Sequence, residues 1–289
     1  MAVFSKSGAA ISSVYSKAGS SLPIAYDKSG DVVFSGNTTL KIMNYNVGQW
    51  YIGSNTNVPT AKKSAYYALQ TGMFAAHRPD ILLMQEYWTN WCADGSNSSE
   101  LLSPYFTTKE VTNPQGYIGH AICTNGISLA SYTSHQFSSN RGNYPTFESA
   151  NITVGGKTIT LVNTHNDYYA EYQTTEISEL LAFLATLDSF ILCGDFNINL
   201  ATQDTTDAQY TINVKPFVDA GYHVGNCVME WIPTYYGTAS PTGGKFTDQI
   251  ITSADITILD IYSDTTKLTD NIDDKIDHIP LIAIVEVSP

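Results

Sequence analysis

The stretch that decides the fold of this chain is ILCGDFNINL, residues Ile191–Leu200. It begins with apolar residues typical of a buried β-strand, and a single glycine separates them from Asp195 and Asn197. Because Gly, Asp and Asn all favour tight turns, the two polar residues could serve only to end the strand. Whether they also carry chemistry depends on what stands at the ends of the other strands.

Five further segments combine an apolar strand pattern with side chains that bear oxygen or imidazole. They are LKIMNYNV, DILLMQE, the second half of ESANITVGGKTITLVNTH, FTDQIITS and HIPLIAIVEV with the residue before it. The polar residues in question are Asn46, Glu86, His165, Asp248, Asp277 and His278. Strands that deliver such groups at their ends are the usual means by which an α/β scaffold builds a site.

The segments between these strands predict two helices and one hairpin. A helix is expected over residues 61–76, ending before Arg78-Pro79, and another over 174–187, where apolar residues recur at helical spacing. The turn Gly155-Gly156 predicts a β-hairpin. Hairpins and crossovers within one run indicate a single α/β domain over residues 37–289, with sheets that are not purely parallel.

The net charge of the chain restricts its partners. The formal charge is −13, and only two of the 14 basic residues are arginine, Arg78 and Arg141. Such a surface lacks the basic stripe of a tight nucleic-acid binder. It does not exclude an enzyme that meets a phosphate through a bound cation.

The four cysteines, Cys92, Cys123, Cys193 and Cys227, form no CxxC pair, so neither a zinc ribbon nor a thioredoxin-type site is indicated. Cys193 lies in the apolar run and is predicted to be a small buried hydrophobe. Their even number leaves a structural disulfide open. The sequence has neither the apolar window of a membrane span nor the pattern of a secretory signal.

Residues 1–36 repeat a short pattern: VFSKSG from Val3, VYSKAG from Val14 and AYDKSG from Ala25, spaced by 11 residues. Their glycines and their Val, Phe and Tyr content predict short strands and turns. Two interpretations stay open, a solvated adhesive arm or an element for docking or self-association. The Tyr-Asp-Lys-x-Gly unit resembles tandem segments of bacteriophage structural proteins, which implies a virion-associated or host-cytoplasmic protein.

The polar residues at the strand ends suit one kind of chemistry. Oxygens of Asn, Glu and Asp prefer hard cations such as Mg²⁺, and two histidines beside them suit attack of water on a phosphoester. The chain has no HExxH zinc motif, no GxSxG elbow and no glycine-rich phosphate loop. His120 and His223 are interpreted as structural.

The blocks MNYNV, LLMQE, LVNTHND, CGDFN, FTDQIITS and DHIPLIAIV, in that order, resemble the endonuclease/exonuclease/phosphatase superfamily, which has the DNase I-like fold. The resemblance covers roughly residues 40–287. It implies a four-layer α/β sandwich with two central mixed β-sheets and a site at one end of them. It also implies a phosphoesterase that depends on Mg²⁺, with Mn²⁺ or Ca²⁺ as alternatives.

Carried over residue by residue, the resemblance implies that Glu86 is the principal metal ligand and that Asn46 lies beside it. Asp277 would join the metal cluster or the groups that support it. 

The same resemblance implies roles around the phosphate. His165 and His278 would flank the scissile group, and Asp248 would orient His278. Asp195 and Asn197 would hold the attacking water or the phosphate oxygens.

Three departures from the family pattern limit this carry-over. Thr124-Asn125 stand where the family often has Ser-Arg, and the segment 141–148 matches too vaguely for its Arg or Glu to be given a catalytic role. THNDY approximates the THLDH of members that act on phospholipids or small phosphodiesters. Asp167 is therefore a residue that supports the site or a turn aspartate, and both interpretations stay open.

The sequence favours a nuclease slightly over an enzyme acting on small or lipid phosphoesters, such as a sphingomyelinase. A virion structural protein with a secondary or inactive enzyme domain is the hypothesis from another class. The intact set of metal and histidine positions argues against an inactive domain.

Overall fold

The structure, a computed structural model, describes residues 14–15, 21–22, 25–26, 32–33, 37–48, 60–87, 102–112, 119–139, 146–236, 244–265 and 277–288. The first four strands are β1 (Val14–Tyr15), β2 (Ser21–Leu22), β3 (Ala25–Tyr26) and β4 (Val32–Val33). β1 pairs with β2 and β3 with β4, both antiparallel. These pairs lie in the predicted arm, whose boundary at residue 36 stays a prediction.

The elements of the rest of the chain are two sets of strands with helices between them. In chain order they are β5 (Thr38–Asn46), α1 (Thr60–His77), β6 (Ile81–Tyr87), β7 (Thr108–Thr112), β8 (Gly119–Thr124), β9 (Ala130–Gln136), β10 (Thr146–Val154), β11 (Lys157–His165), α2 (Ala170–Leu184), β12 (Phe190–Asp195), α3 (Ala208–Asn213), α4 (Lys215–Asp219), β13 (His223–Val224), β14 (Asp248–Thr252), β15 (Ile256–Ser263) and β16 (Leu281–Val287).

The strands form two six-stranded mixed sheets. Their orders are β15-β16-β5-β6-β8-β7 and β13-β14-β12-β11-β10-β9. Each sheet contains one parallel pair at its centre, β5 with β6 and β11 with β12, and every other pair is antiparallel. A helix connects each parallel pair, α1 in one sheet and α2 in the other, as a parallel connection requires. The predicted mixed sheets and the β10–β11 hairpin are confirmed.

The helices cover the outer faces of the two sheets, which gives the predicted four-layer α/β sandwich. Met73 and Phe74 of α1 share a core with Met43 and Tyr45 of β5. Ile177, Leu180 and Leu184 of α2 share another with β11 and β12. Observed α1 extends one residue beyond the prediction at each end, whereas α2 begins four residues earlier and ends three residues earlier.

A third core fills the space between the sheets, and its polarity changes along the strands. On the inner face of β5, Leu40 and Ile42 are buried among aliphatic residues, but Asn44 and Asn46 follow them at the same two-residue spacing. The inner faces of β11 and β12 change in the same way, ending in His165 and Asp195. The interface between the sheets is therefore apolar at one end and polar at the other, and the polar end is where the site lies.

Cys193 is fully buried in the inter-sheet core, so its prediction as a small hydrophobe is confirmed. Cys123, Cys193 and Cys227 are free thiols, and Cys92 lies outside the described residues. No helix in the described parts of the chain is long and apolar enough to cross a membrane.

Candidate active site

The topology brings the predicted site residues to one end of both sheets. His165, Asp195 and Asp248 stand directly opposite one another on the adjacent strands β11, β12 and β14, and so form a row across the sheet. In the other sheet, Asn46 lies at the end of β5 beside β6, which carries Glu86. A backbone bridge between His278 and Tyr235 holds the segment before β16 at the same end.

Asp195 is the centre of this group, and its two carboxylate oxygens have different partners. Oδ2 accepts a hydrogen bond from Asn46 Nδ2 at 2.9 Å. It also lies 3.6 Å from His165 Nε2 and 3.5 Å from His278 Nε2. Oδ1 accepts from the backbone N–H of Asn197 at 2.7 Å, which is the hydrogen bond of a tight turn. Asp195 therefore forms the turn with one oxygen and faces both histidines with the other.

Asn197 joins the two loops that carry the site in this sheet. Its φ of +51° lies in the left-handed region, which asparagine tolerates better than most residues. Its Nδ2 donates to the carbonyl of Asn166 at 2.8 Å, and Asn166 N–H donates to the carbonyl of Asp195 at 2.9 Å. The loop after β12 is thus hydrogen-bonded on both sides to the loop after β11.

The glycine before Asp195 is required by packing. A Cβ at Gly194 would lie 2.3 Å from the carbonyl oxygen of Thr164 on β11, far inside van der Waals contact. The glycine in CGDFN therefore allows β12 to approach β11 and brings Asp195 level with His165.

Gln173 on α2 hydrogen-bonds to the backbone of the same two loops. It is fully buried, and its Nε2 lies within hydrogen-bond distance of the carbonyls of Asp167, Phe196 and Asn197, at 2.9, 3.2 and 3.1 Å. Its Oε1 accepts from Asn213 Nδ2 at 3.1 Å. No motif in the sequence marks this residue, because its role depends on packing.

His278 has a carboxylate on each side of its ring. Nδ1 lies 3.0 Å from Asp248 Oδ2, and Asp248 Oδ1 accepts from Asn44 Nδ2 at 3.1 Å. Burial alone lowers the pKa of His278, but the charges of Asp248 and Asp195 outweigh that effect and raise the pKa well above its ordinary value. Burial raises the pKa of Asp195, and the charge of His278 opposes this shift. The contact with Asp248 is the arrangement expected of an orienting carboxylate.

His165 is held differently. Its side chain is 15% exposed, and burial lowers the pKa of its imidazole to about 4, with the charge of Asp195 opposing the shift. At neutral pH the ring is therefore neutral and one of its nitrogens can accept a proton.

Glu86 points into the site because the strand that carries it is distorted. Its φ is +55°, and the β6–β8 register is irregular between Met84 and Tyr87, which is the mark of a bulge. Its Oε1 accepts from Asn46 Nδ2 at 3.2 Å. The pKa of Glu86 is raised to about 7, chiefly by burial; the charges of Asp277 and Asp195 contribute to the shift, and Asn46 and His278 oppose it.

Asp277 lies near this carboxylate, since its charge is among the causes of the raised pKa of Glu86 and of Tyr235. Its backbone carbonyl accepts from the N–H of Tyr236 at 2.8 Å. The charges of Asp277 and Asp195 therefore both oppose a negative charge on Glu86. A divalent cation would relieve this repulsion, so the donor set fits a hard metal ion.

A second trio also meets the distance requirement for a metal site. One ligand atom each of Asp195, Asp248 and His278 lies within 4.8 Å of the others, the one such group in the described ranges. Asp248 Oδ2 is already hydrogen-bonded to His278 Nδ1 and Asp248 Oδ1 accepts from Asn44 Nδ2, so both oxygens of Asp248 have partners within the protein. We therefore favour the Glu86 side of Asp195.

Asp167 makes the contacts of a turn at the start of α2. Its Oδ1 accepts from the N–H of Tyr169, and its own N–H donates to Glu176 Oε2, both at 2.8 Å. Arg141, which the sequence left without a role, lies outside the described residues.

Four residues at the site were not predicted. The Tyr235 ring lies 5.0 Å from the His278 ring, and Lys245 Nζ lies 5.6 Å from the centre of the Tyr235 ring. His120 and Glu148 form a buried ion pair whose histidine packs against His165, with ring centres 6.2 Å apart. None of the four stands at a strand end, which is the pattern that identified the others.

Comparisons with known proteins agree with the observed fold. A family model described as the Endonuclease/Exonuclease/phosphatase family matches residues 55–270, about three quarters of the chain. No curated protein matches the sequence significantly.

Solved structures share the fold at low sequence identity. Truncated TDP2 of Caenorhabditis elegans is 15% identical with a TM-score of 0.63, over 86% of this chain and 97% of that one. The human Nocturnin catalytic domain is 15% identical with a TM-score of 0.64, over 86% of this chain and 97% of that one. ANGEL2, a 2',3'-cyclic phosphatase, is 17% identical with a TM-score of 0.60, over 87% of this chain and 96% of that one. The family match, over a fold and a site of this kind, shows that the chain belongs to the Endonuclease/Exonuclease/phosphatase family and is a phosphoesterase of that family.

Proposed function

We propose that the protein is a Mg²⁺-dependent phosphodiester hydrolase, and that nucleic acid is its substrate. The observation that carries the proposal is the convergence on Asp195 Oδ2, where Asn46 from one sheet meets His165 and His278. A carboxylate that faces two histidines and lies beside further acidic residues suits the attack of water on a phosphoester.

We assign the metal to Glu86, with Asn46 and Asp277 beside it. In the structure the Asn46 amide nitrogen faces both carboxylates, while its Oδ1 accepts from the N–H of Gly48 at 3.0 Å. Binding through Asn46 would use its oxygen, so the amide would turn over. A bound Mg²⁺ supplies Lewis-acid stabilisation of negative charge on the phosphate, and Mn²⁺ or Ca²⁺ can replace it in a site of oxygen ligands.

The two histidines take different parts in this proposal. His165 is neutral at neutral pH and receives the proton of the attacking water, while Asp195 and Asn197 hold that water or the phosphate oxygens. His278, held by Asp248, hydrogen-bonds the phosphoryl oxygen or gives its proton to the leaving oxygen as the P–O bond breaks.

A second candidate substrate, a small or lipid phosphodiester, is favoured by the charge of the chain. With a formal charge of −13, the surface repels a long polyanion and supplies few cations to follow its backbone. A short or neutral-headed phosphodiester meets less of this repulsion.

A substrate panel separates the two candidates and tests the proposal itself. Supercoiled plasmid, single-stranded RNA, a chromogenic phosphodiester, sphingomyelin and inositol phosphates would each be incubated with Mg²⁺ and with EDTA. We expect cleavage of a nucleic acid with Mg²⁺ and none with EDTA. Turnover of sphingomyelin alone would support the lipid candidate, and turnover of nothing with any divalent ion would refute the proposal.

We propose that residues 1–36 dock the enzyme to another copy or to a larger assembly. Among the described residues, β1–β2 and β3–β4 are separate two-stranded sheets, and an unpaired strand edge is a template for pairing with another chain. A chain lacking residues 1–36 should keep full activity and lose its assembly. An unchanged mass in solution and unchanged attachment to virions would count against the proposal.

A further inference from the structure

The pair His120–Glu148 is a buried polar contact at the polar end of the interface between the sheets. His120 lies on β8 of one sheet and Glu148 on β10 of the other, and their exposed fractions are 2% and 0%. Nδ1 of His120 is paired with Glu148 Oε2. The pair therefore crosses from one sheet to the other, as Asn46 and Asp195 do.

Thr146 fixes this pair from the strand beside His165. Its Oγ1 lies 3.3 Å from His120 Nδ1 and donates to Glu148 Oε1 at 3.3 Å. Thr146 stands directly opposite His165 in the β10–β11 register, so it extends the row of His165, Asp195 and Asp248 by one strand. The His120 ring is thus anchored through its Nδ1 side, next to His165, which the proposed reaction requires.

Among the described residues, no carboxylate lies as close to His165 as Asp248 lies to His278. Asp248 lies 3.0 Å from His278 Nδ1, within hydrogen-bond distance, whereas Asp195 Oδ2 lies 3.6 Å from His165 Nε2, beyond it. The ring that contacts His165 is that of His120, edge to face at an angle of 64°. The orientation of His165 therefore depends on a packed neighbour.

Stability alone does not account for a buried polar pair at this place. Such a pair gains little over apolar side chains that fill the same volume, since both groups lose their hydration. His120 Nε2 is also buried without a hydrogen-bond partner among the described residues. A buried polar atom left in this way calls for an explanation, and a role at the neighbouring site is one.

We propose that His120 and Glu148 are positioning residues for His165: Glu148 and Thr146 fix the His120 ring, and that ring fixes the plane of His165 against Asp195. This inference rests on the proposed function, in which His165 accepts a proton. It makes Glu148 the remote counterpart of Asp248, acting on the second histidine through His120 instead of through a direct hydrogen bond.

The test replaces both members of the pair, so that no lone buried charge remains. In His120→Phe/Glu148→Gln we expect kcat on a chromogenic phosphodiester with Mg²⁺ to fall by about 10–100-fold, with KM within twofold, since misplacing a reacting group lowers the rate of the chemical step. Thr146→Val, which has nearly the same shape, should cause a smaller fall in kcat and serves if the double variant does not fold. His135→Gln is the control, because His135 contacts Ser149 and Phe147 on neighbouring positions of β10.

A second readout does not depend on turnover. At a fixed pH of about 7, the imidazole ¹⁵N chemical shifts of His165 report its tautomer and hydrogen bonding, and they should change in the double variant and stay unchanged in His135→Gln. Wild-type kcat with unchanged His165 signals, or a rise in KM alone, would overturn the inference. If the wild-type protein cleaves no phosphoester, the proposed function fails, yet the ¹⁵N shifts still decide whether His120 positions His165.

Discussion

Asn46 and Asp195 are 149 positions apart in the sequence and are joined by a hydrogen bond of 2.9 Å between the two sheets. The same amide nitrogen lies 3.2 Å from Glu86 Oε1, so one neutral side chain separates the buried Asp195 from the part-buried Glu86. Asn46 therefore links the proposed metal side of the site to the histidine side.

Adding a charge at this position should make stability depend on metal. We expect Asn46→Asp to lower the unfolding free energy in EDTA by about 1–3 kcal/mol, because a donor is lost and a third carboxylate enters the contact. Mg²⁺ should restore much of this loss, measured as the shift of Tm on adding the ion. Asn199→Asp, at an exposed position, is the control and should show neither effect.

Removing the charge of Glu86 should weaken metal binding. For Glu86→Gln we expect the apparent Kd for Mg²⁺ to rise at least about tenfold, since even the groups that support metal ligands contribute that much. Calorimetric titration would measure this, with Glu110→Gln on β7 as the control. Unchanged Mg²⁺ affinity in Glu86→Gln would show that the ion binds elsewhere.

The His278–Asp248 pair should determine turnover. We expect His278→Ala to reduce kcat by roughly 10²–10⁴-fold, the usual range for losing an acid or base. Asp248→Asn keeps the shape of the side chain and removes the carboxylate charge beside His278 Nδ1, so it should lower kcat less than His278→Ala does. An enzyme with near-wild-type kcat after His278→Ala would mean that the site is wrongly assigned.

The lowered pKa of His165 predicts a pH dependence of stability. The imidazole has a pKa of about 4 in the folded protein and an ordinary value near 6.5 when unfolded, so the unfolded state binds more protons between these values. The contribution of His165 to the unfolding free energy must then decrease as the pH falls from 6.5 to 4, by at most about 1.4 kcal/mol per pH unit.

The comparison with His165→Asn isolates this contribution. Glu86, whose pKa is raised to about 7, has the opposite slope between 4.5 and 7 and is present in both proteins. Urea unfolding from pH 4 to 6.5 should therefore show the wild type losing stability relative to His165→Asn as the pH falls. Parallel curves would mean that His165 titrates normally.

Gln173 should matter through the two loops that it joins. Gln173→Ala removes one buried donor shared by three backbone carbonyls, so we expect a loss of about 1–3 kcal/mol in unfolding free energy. The loops that carry His165 and Asn197 would also loosen, and kcat should fall about tenfold. Gln203→Ala, at an exposed position, is the control. Loss of stability with full kcat would limit Gln173 to a structural role.

The strand-end pattern predicted most of the site because the alternation of a β-strand is local. Apolar residues two apart that give way to Asn, His or Asp mark both the buried face and the end at which it becomes polar. The parallel pairs β5–β6 and β11–β12 then bring those ends together, since their carboxyl ends lie at the same edge of a sheet. The predicted role of each residue remains to be tested by the substitutions above.

The residues that the sequence did not predict act through tertiary contacts. His120, Glu148 and Gln173 lie within strands or a helix, and nothing near them in the sequence distinguishes a polar residue that supports a site from one that faces water. Glu86 was predicted from its place after an apolar run, but the bulge and the positive φ that turn it inward could not be. A backbone distortion of this kind depends on the partner strand as much as on the strand itself.

The amino-acid sequence by itself determined the alternation of strands and helices and the polar residues at the strand ends, because these follow from side-chain periodicity and turn chemistry along the chain. The arrangement in two sheets was implied by the family resemblance. Only the tertiary structure decided which polar groups meet: that Asp195 divides its oxygens between a turn and two histidines, and that His120 stands against His165. The packing of two sheets fixes such contacts, since it sets distances between residues that are far apart in the chain.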